Sequence, residues 1–484
     1  MPNADAAGYR GAIQLTRNEG RLMKTQFDVI IVGAGPAGVF AALELSQRPD
    51  LDILILDKGP EIERRHCAAR EPGGRCVHCE PCAIMTGWGG AGAFSDGKLT
   101  LSPAVGGRLT EILGPERTTD LVRRVDDTYV RFGASGRIYG TRNDEVEALE
   151  KRAALHSLRF VSVPIRHMGT ERCVEIMRGM HDELVERGVT VRTRTPVARL
   201  LTDDGRVVGV ETEAGERIEA EAVIAAPGRE GAAWFKSVAD DLGLTLDRNP
   251  VDLGVRVELP AVVLEPITEL VYESKFIYYS KAFDDRARTF CMCPYGEVST
   301  EFAGDVMTVN GHSFAESRTA NTNFAILVSK TFTEPFDDPI AYGKSIARLA
   351  NLLGDGVIVQ RLGDLESGRR STPTRLGRSV VTPTLPSATP GDLNLVLPYR
   401  YVVTILEMLH ALDELAPGVA SRHTLLYGVE VKFYSCRVKL TPEMETEVDN
   451  LFACGDGAGV TRGLVQASAS GLLAAEAIVR RLEG

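Results

Sequence analysis

The feature that most constrains this chain of 484 residues is a set of three glycines, Gly33, Gly35 and Gly38, between an apolar run and a helical pattern. The apolar residues 27–32 suit a buried parallel strand, and residues 37–45 suit a helix. In this setting the first glycine permits a tight turn, the second lets the backbone approach a pyrophosphate, and the third lets helix and strand pack closely. The helix N-terminus offers free N–H groups to the phosphates. The pattern predicts a βαβ unit that binds a dinucleotide.

An acidic residue stands where a dinucleotide fingerprint requires one. The apolar run at residues 51–56 is followed by Asp57, and a carboxylate at that point binds a ribose hydroxyl. Gly87, Gly89 and Gly92 repeat the glycine spacing, but a cysteine-rich loop precedes them instead of a strand. We therefore interpret them as a glycine-rich loop.

A second pattern lies near the C-terminus. Residues 451–453 read as a short strand, Gly455 and Asp456 follow it, and residues 464–481 read as a helix. It is similar to flavoproteins in which the Asp binds the ribityl chain and the helix points at the flavin pyrimidine edge. A helix N-terminus favours the negative charge that a reduced flavin gains there. The alternative is an ordinary Gly-Asp turn at a helix cap. Paired with the first glycines, the pattern predicts one FAD site.

The length and charge of the chain limit its domain organisation and its possible partners. A chain of this length exceeds a single core, and its 44% apolar content can bury two or more domains. The net charge of −11 argues against a nucleic-acid partner, which requires clustered Lys and Arg. No apolar stretch is long enough to cross a bilayer, and the N-terminus lacks an apolar signal core. We predict a cytoplasmic protein.

The order of patterns predicts an α/β fold. It consists of a Rossmann-type FAD-binding domain, which is discontinuous and contains a β-meander, and an inserted mixed α+β substrate domain. Flavoproteins of the glutathione-reductase type have a similar meander after their first βαβ unit. The predicted divisions are a loose leader at 1–23, the N-terminal part of the FAD-binding domain at 24–232, the substrate domain at 233–400, and a C-terminal part at 401–484 that completes the FAD site.

Five longer phrases resemble a widespread bacterial and archaeal family of uncharacterised FAD-dependent dehydrogenases. They are GWGGAGAFSDGKLT (87–100), RTFCMCPYGEV (288–298), NGHSFAESRTANTNFAILVS (310–329), LLYGVEVKFYSCRV (425–438) and GDGAGVTRGLVQASASG (455–471). The resemblance covers nearly the whole chain from about residue 25 and implies FAD and a dehydrogenase-like fold, without naming a substrate. Flavoproteins of this architecture usually carry Glu where this chain has Asp57.

The residues predicted to bind FAD lie in the two glycine-containing segments, in the loop at 87–98 and at neighbouring strand ends. They are Gly33, Gly35, Pro36, Ala37, Gly38, Asp57, Lys58, Gly90, Ser95, Lys98, Val197, Gly228, Gly455, Asp456, Gly463 and Leu464. Lys98 and Asp96 are expected to position the loop, and Ser95 to hydrogen-bond the cofactor.

Four of the nine cysteines fall in one short run, at Cys67, Cys76, Cys79 and Cys82. Thiolates at this spacing can ligate a [4Fe–4S] cluster or zinc, with His78 as a further ligand. A Cys-x-x-Cys pair can also act as a redox dithiol, and the third interpretation is ordinary buried or surface thiols. A structural disulfide is disfavoured in the cytosol. A cluster at this place would deliver electrons to FAD.

The absence of other signatures narrows the reaction. Pyridine-nucleotide disulfide reductases need a second dinucleotide fingerprint and a helical redox cysteine pair, and neither is evident in the sequence, so no dedicated NAD(P)H domain is predicted. Flavin-dependent aromatic hydroxylases commonly have His and Pro after Gly-Asp, where this chain reads GAGVTRG. We predict a dehydrogenase or reductase that transfers hydride between flavin N5 and a small organic substrate and exchanges electrons with an external partner. The alternatives are a flavin and iron–sulfur protein that relays electrons to a protein partner, and a flavin monooxygenase.

Candidate catalytic residues are polar groups within the family-like phrases. His and Tyr can transfer protons, and Arg and Lys can bind oxyanions. The predicted set is Tyr295, His312, Lys432 and Arg437, with Arg229, Arg318 and Tyr434 as further substrate-facing candidates. Each has a structural alternative as a turn residue, a packed aromatic or a solvated charge. Cys291 and Cys293 are interpreted as packed thiols, because free cysteines are commonly buried.

Overall fold

The protein is described by a computed structural model. It describes residues 24–68, 77, 79–247, 249–303, 305–313, 318–332, 338–432 and 437–483. The predicted leader at 1–23 lies outside these residues. The helices are α1 (Pro36–Leu45), α2 (Leu109–Leu113), α3 (Pro115–Arg131), α4 (Asp144–Leu155), α5 (Thr170–Glu186), α6 (Ala232–Asp241), α7 (Ala261–Val271), α8 (Pro339–Gly354), α9 (Leu362–Glu366), α10 (Pro373–Leu376), α11 (Tyr399–Leu415) and α12 (Leu464–Glu483).

The strands belong to two large sheets and three small ones. They are β1 (Gln26–Val32), β2 (Ile53–Leu56), β3 (Lys98–Thr100), β4 (Ile138–Tyr139), β5 (Arg159–Val161), β6 (Ile165–His167), β7 (Thr190–Arg192), β8 (Val197–Asp203), β9 (Arg206–Thr212), β10 (Arg217–Ala225), β11 (Leu246–Asp247), β12 (Val251–Pro260), β13 (Lys275–Tyr279), β14 (Arg286–Cys293), β15 (Glu297–Ala303), β16 (Val306–His312), β17 (Asn321–Lys330), β18 (Ile358–Arg361), β19 (Thr389–Pro390), β20 (Leu425–Lys432), β21 (Arg437–Val438) and β22 (Leu451–Ala453).

The first large sheet has the order β7-β2-β1-β10-β9-β8, and β22 pairs with β10. β1 runs parallel to β2 and β10, and β22 runs parallel to β10. Every residue of β2 is buried, because both faces of the sheet are covered: Ile53 and Ile55 lie in one apolar core, and Leu54 and Leu56 lie in the other. Val32 pairs with Ala225, which also pairs with Ala453, so β1, β10 and β22 end at one edge. β8, β9 and the start of β10 form an antiparallel meander. The predicted α/β fold with its meander is confirmed.

Apolar cores lie on both faces of this sheet. One face packs against α1, α3, α5 and α12, and the other against the meander and α6. Because the carboxyl ends of the parallel strands share one edge, the loops that follow β1, β10 and β22 converge there.

The second large sheet has the order β19-β18-β20-β12-β17-β14-β13-β5 and is mainly antiparallel. β12 and β17 pair over ten residues at its centre, from Val251 with Lys330 to Pro260 with Asn321. Their apolar residues pack with those of α4, α7, α8 and α11 in a separate core. β5 and β20 lie outside the segment 233–400 yet join this sheet. The predicted domain boundaries stay predictions.

Three small sheets complete the described part of the chain. β15 and β16 form a hairpin, β3-β6-β4 form a three-stranded sheet, and β11 pairs with β21. None of the described helices is both long enough and apolar enough to cross a membrane.

Candidate functional site

The turn between β1 and α1 requires its glycines. Gly33 has φ +110°, and a Cβ there would lie 2.2 Å from the Ala226 carbonyl oxygen. A Cβ on Gly38 would lie 2.0 Å from the Gly33 carbonyl oxygen. The turn therefore passes against the end of β10, and α1 packs directly on its own turn, as the spacing predicts.

The N-terminus of α1 is open to a ligand. Gly35 is its N-cap and provides no side-chain cap, and Pro36 follows it, so the N–H groups of the first turn lack a helical acceptor. A Cβ on Gly35 would meet only the Gly90 Cα, at 3.9 Å. Gly89 N donates to the Ala34 carbonyl oxygen at 2.7 Å. The glycine-rich loop thus lies directly on this turn.

The Asp57 carboxylate is buried and organises the same region. Its Oδ2 accepts from Ala34 N at 2.8 Å, and its Oδ1 accepts from Gly59 N at 2.7 Å and Gly87 N at 2.9 Å. These bonds use three of the roughly four acceptor positions of a carboxylate. Asp57 therefore ties the first turn to the glycine-rich loop. Lys58 beside it pairs with Glu230 at 2.9 Å.

The C-terminal pattern lies against the first. A Cβ on Gly471 would lie 2.0 Å from the Ala37 carbonyl oxygen, so α1 and α12 pack with backbones in contact. Gly455 N donates to Ser470 Oγ at 2.9 Å. Burial raises the pKa of Asp456, whose carboxylate accepts from the Thr461 hydroxyl at 2.9 Å.

The glycine-rich loop completes this junction. A Cβ on Gly92, in the 3₁₀ helix Gly90–Phe94, would lie 2.6 Å from Pro36 Cγ and 2.9 Å from Leu464 Cδ2. The loop therefore contacts the first residues of both α1 and α12. The structure brings together the three segments that sequence reasoning assigned to one site.

Open space at this edge fits a dinucleotide cofactor. Gly228 after β10 and Gly463 before α12 have positive φ, and a Cβ on either would meet nothing within 4 Å. With the uncapped N-terminus of α1, they leave a cradle of backbone groups suited to phosphates and a flavin. Of the other predicted contacts, Val197 is buried at the start of β8. Ser95 Oγ donates to the Gly92 carbonyl oxygen at 3.0 Å.

A buried cluster of charges lies beyond the glycine-rich loop. Lys98 Nζ lies 3.0 Å from Asp96 Oδ2 and 3.5 Å from Glu273 Oε2, and it donates to the Met292 carbonyl oxygen at 2.7 Å. Burial alone would lower the pKa of Lys98, but Asp96 and Cys293 outweigh it and hold that pKa well above its usual value. Lys98 therefore stays charged and joins β3 to β14.

Arg256 is the second buried cation and is fully inaccessible. Its Nε donates to Asn323 Oδ1 at 2.8 Å, and one terminal nitrogen lies 3.3 Å from Glu430 Oε1. The other donates to the Cys291 carbonyl oxygen at 2.7 Å and to Cys293 Sγ at 3.3 Å. Arg256 thus joins β12, β14, β17 and β20.

Lys432 continues this network toward the cofactor edge. Its Nζ lies 3.3 Å from Glu430 Oε1 and 2.9 Å from Glu301 Oε2, and Glu301 Oε1 lies 3.5 Å from the Arg229 guanidinium. Burial would raise the pKa of Glu301, but Lys432 and Arg229 lower it to about 2. Since Arg229 follows Gly228, direct contacts connect the strand end of β10 to the centre of the second sheet.

The structure separates the predicted catalytic residues. Lys432 lies in the buried network, and His312 lies close enough to Asp96 and Glu301 to help lower the pKa of both carboxyls. Tyr295 instead donates to Glu265 and has the Arg318 guanidinium 4.8 Å from its ring centre. Arg437 pairs with Asp247 on the β11–β21 ribbon.

Tyr434, Cys76 and His78 lie outside the described residues. Cys67 and Cys82 are half-buried and Cys79 is exposed. Among the residues that the structure describes, the set that brings three metal-ligating atoms within 4.8 Å of one another is Asp96, Cys291 and Cys293.

Sequence reasoning missed Arg256, Glu430 and Glu301. A signal existed for the first two, because each is a charge flanked by apolar residues in a strand, in GVRVEL (254–259) and YGVEVK (427–432). A strand buried on both faces tolerates a charge only when it is paired. The pairing itself could not be read, since these two residues are 174 positions apart.

Comparisons with known proteins agree with this geometry. The family described as "FAD dependent oxidoreductase" matches residues 28–323, "FAD-dependent protein, C-terminal domain-like" matches 250–433, and "Glucose inhibited division protein A" matches 392–484. An uncharacterized protein of Clostridium beijerinckii is 26% identical over 482 residues, which cover 94% of this chain and 81% of that protein.

Similar solved structures include an oxidase and a dehydrogenase. Glycine oxidase from Geobacillus kaustophilus is 14% identical with a TM-score of 0.40, covering 94% of this chain and 95% of its own. The 3-ketosteroid-Δ4-(5α)-dehydrogenase from Rhodococcus jostii RHA1 is 15% identical with a TM-score of 0.45, covering 94% of this chain and 96% of its own.

Proposed function

Because the chain belongs to the FAD dependent oxidoreductase family, we propose that it is a dehydrogenase or reductase acting on a small organic molecule at the junction of its two large sheets. FAD, when bound, accepts or donates a hydride at its N5 position. The observation that carries the proposal is the run of contacts from half-exposed Arg229 through Glu301 and Lys432 to the buried pair of Glu430 and Arg256. It would provide a polar wall beside the cofactor cradle, anchored in the protein interior.

The converging loops would bind different parts of FAD. The first turn of α1, from Gly35 to Gly38, would hold the pyrophosphate with its free N–H groups. Asp57 would hold the turn in place through its backbone bonds and reach the adenosine ribose with its remaining acceptor position. The N-terminus of α12 would lie at the pyrimidine edge of the flavin and favour negative charge there.

Proton transfer at this junction would involve Tyr272. Its hydroxyl lies 3.4 Å from His167 Nε2 and donates to Ser313 Oγ at 3.3 Å. Burial raises the pKa of Tyr272 to about 12 and also lowers the pKa of His167. Tyr272 therefore remains protonated at neutral pH and can donate to a substrate oxygen, and a proton from solvent, relayed through neutral His167, can restore its hydroxyl.

The buried cations are already balanced by carboxylates. Lys98, Arg256 and Lys432 each have a carboxylate oxygen within 3.5 Å. The more exposed groups of the wall, Arg229 and Glu301, would orient a polar substrate by hydrogen bonds, and a balanced wall does not demand an anionic one. This wall would exclude water from the reacting face and so protect a hydride in transfer.

The test of FAD binding uses Gly35→Val. The protein has room for a side chain at Gly35, where φ is −78° and the nearest atom to a Cβ is 3.9 Å away. The variant should fold normally and lose FAD, because the side chain fills the space of the pyrophosphate. Gly136→Val is the matched control, since a Cβ there meets nothing within 4 Å. Purified wild type and control should carry FAD, released by acid and measured by chromatography; a wild type without flavin would refute the proposal.

The reaction class is tested by anaerobic flavin bleaching. Oxidisable metabolites, NADH and NADPH are mixed with the flavoprotein, and loss of the visible flavin bands identifies a two-electron donor. A dehydrogenase should be re-oxidised by an artificial electron acceptor without incorporating oxygen. Incorporation of labelled oxygen into a product would replace this proposal with a monooxygenase.

A second candidate activity concerns the run Cys67, Cys76, Cys79 and Cys82. We propose that these cysteines hold a [4Fe–4S] cluster or zinc, which as a cluster would relay electrons between FAD and a protein partner. Burial raises the pKa of the Cys82 thiol, and Cys79 and Cys67 lie close enough to add to that shift. Iron, sulfide and zinc assays on anaerobically purified protein test it. Finding none of the three would refute it.

A further inference from the structure

Cys291 and Cys293 lie side by side at the end of β14, where the strand departs from regular geometry. Its pairing with β17 shifts register between Phe290 and Cys293, and Cys291 has φ +47°. In a regular strand, residues two apart are separated by about 6.7 Å, near the outer limit for a disulfide. The register shift and the left-handed Cys291 change the direction of the side chains here, and the two sulfur atoms lie within 4.8 Å of each other.

The surroundings of the pair favour one thiolate. Cys293 is fully buried and lies 3.3 Å from the Arg256 guanidinium and 3.9 Å from Lys98 Nζ. The neighbouring Cys291 thiol and these two cations lower the pKa of Cys293, and the interaction between the two thiols raises the pKa of Cys291. One thiolate beside one protonated thiol is the state from which a dithiol is oxidised most readily.

A metal ion would fit this place less well than a pair of free thiols does. Asp96, Cys291 and Cys293 have suitable ligand atoms, but Lys98 Nζ lies 3.0 Å from Asp96 Oδ2 and 3.9 Å from Cys293 Sγ. The ammonium is buried with the set and stays charged, so a divalent cation would meet a like charge at close range. Lys98 is itself the cation of this cluster.

The pair is connected to the cofactor cradle through the glycine-rich loop. Gly92 contacts the first residues of α1 and α12, and the same segment continues through Asp96 to Lys98. Lys98 donates to the carbonyl oxygen of Met292, the residue between the two cysteines. Arg256 approaches from the other side, through the network that begins at Arg229.

We propose that Cys291 and Cys293 are a redox-active pair that cycles between a dithiol and an intrachain disulfide and exchanges its electron pair with the flavin. The flavin half of this proposal rests on the function proposed above. On oxidation, the Cys291 thiol gives up its proton, the Cys293 thiolate and the Cys291 sulfur form one S–S bond, and two electrons with that proton pass to the oxidised flavin. The reverse step consumes a reduced flavin and restores the thiol and the thiolate.

Mass spectrometry tests whether the pair closes. The full-length protein is equilibrated in mixtures of reduced and oxidised dithiothreitol, quenched with acid, alkylated and digested with trypsin. The tryptic peptide 289–318 contains these two cysteines and no other. It should convert from a doubly alkylated form to one that is unalkylated and lighter by two hydrogen atoms. Cys173, a buried thiol on α5, should stay alkylated throughout; a peptide 289–318 that never loses its two hydrogens would overturn the proposal.

Anaerobic titration with dithionite tests the link to the flavin. Oxidised wild type should take up two more electrons per flavin than Cys291→Ser or Cys293→Ser, while Cys173→Ser should match wild type. Cys291 is only half-buried, whereas Cys293 is buried. Cys291→Ser is therefore expected to fold even if Cys293→Ser does not. Flavin-containing wild type with the same uptake as the Cys291 variant would overturn the exchange while leaving FAD binding intact. Protein that purifies without flavin would refute the proposed function and the exchange, and the mass measurement would still decide whether the disulfide forms.

Discussion

Replacing Gly471 with alanine tests the contact on which the cofactor edge is built. A Cβ at this position would lie 2.0 Å from the Ala37 carbonyl oxygen, whereas ordinary contact begins at 3.4 Å. Neither helix can relieve this by rotating a side chain, since the obstacle is backbone, so α1 and α12 must part by more than about 1 Å in a close-packed interior. Overpacking of this kind costs about 1–3 kcal/mol, and the upper end applies here. Alanine returns about 1 kcal/mol of helix propensity. The expected net loss is therefore about 2 kcal/mol.

The assay is the temperature at which the protein releases fluorescent flavin on heating. A loss of about 2 kcal/mol lowers the melting temperature of a domain of 150–250 residues by roughly 4–8 °C. Gly136→Ala is the matched control, because Gly136 is exposed and a Cβ there meets nothing within 4 Å; its melting temperature should change by the equivalent of about 0.5 kcal/mol or less. If Gly471→Ala melts with the control, α1 and α12 do not approach as described and the reasoning is wrong.

Three further perturbations address the buried charges. Lys432 and Arg229 lower the pKa of Glu301 from its usual 4.5 to about 2. The ionised carboxylate therefore stabilises the protein fully above pH 4.5, and this contribution is lost as the pH falls through 2. The difference in urea midpoint between wild type and Glu301→Gln should shrink only between pH 4.5 and 2. Arg256→Met should cost about 3–5 kcal/mol in urea denaturation, because it breaks a buried ion pair, and adding Glu430→Gln should cost less than the two changes separately. Asp57→Asn should lower the flavin content of the purified protein and reduce its free energy of unfolding by about 1–3 kcal/mol, because an amide has one acceptor oxygen for three backbone donors. An unchanged flavin content would contradict this.

The parts of the site that were predictable are those in which local sequence dictates local geometry. Gly33 and Gly38 could be assigned because only glycine fits a positive φ or a contact of about 2 Å with backbone, and strand, turn and helix follow one another directly. Gly455 has a positive φ as well. The confirmed α/β fold followed from the order of strands, turns and helices, and the oxidoreductase and FAD assignments followed from the two glycine segments together with the five longer phrases.

The remaining features depend on pairings between distant segments. Cys291 and Cys293 were interpreted as packed thiols, because nothing nearby in sequence reveals that Lys98 and Arg256 converge on them. Likewise, the sequence could not show that the strand of Arg437 lies beside β11, where this arginine pairs with Asp247. The sequence shows which side chains are polar, but the partners of each side chain depend on which strand lies beside its own.

The contact between Ala37 and Gly471 also affects how the protein folds during its synthesis on the ribosome. More than 400 residues separate the two positions, and at about 5–20 residues per second their synthesis takes roughly 20–80 s. Throughout that interval the part of α1 that α12 will cover, at Ala37, lacks the helix that packs against it. The nascent chain therefore carries an unfinished apolar surface for most of its translation, and chaperones that shield such surfaces have their longest opportunity at the segment that will later receive the cofactor.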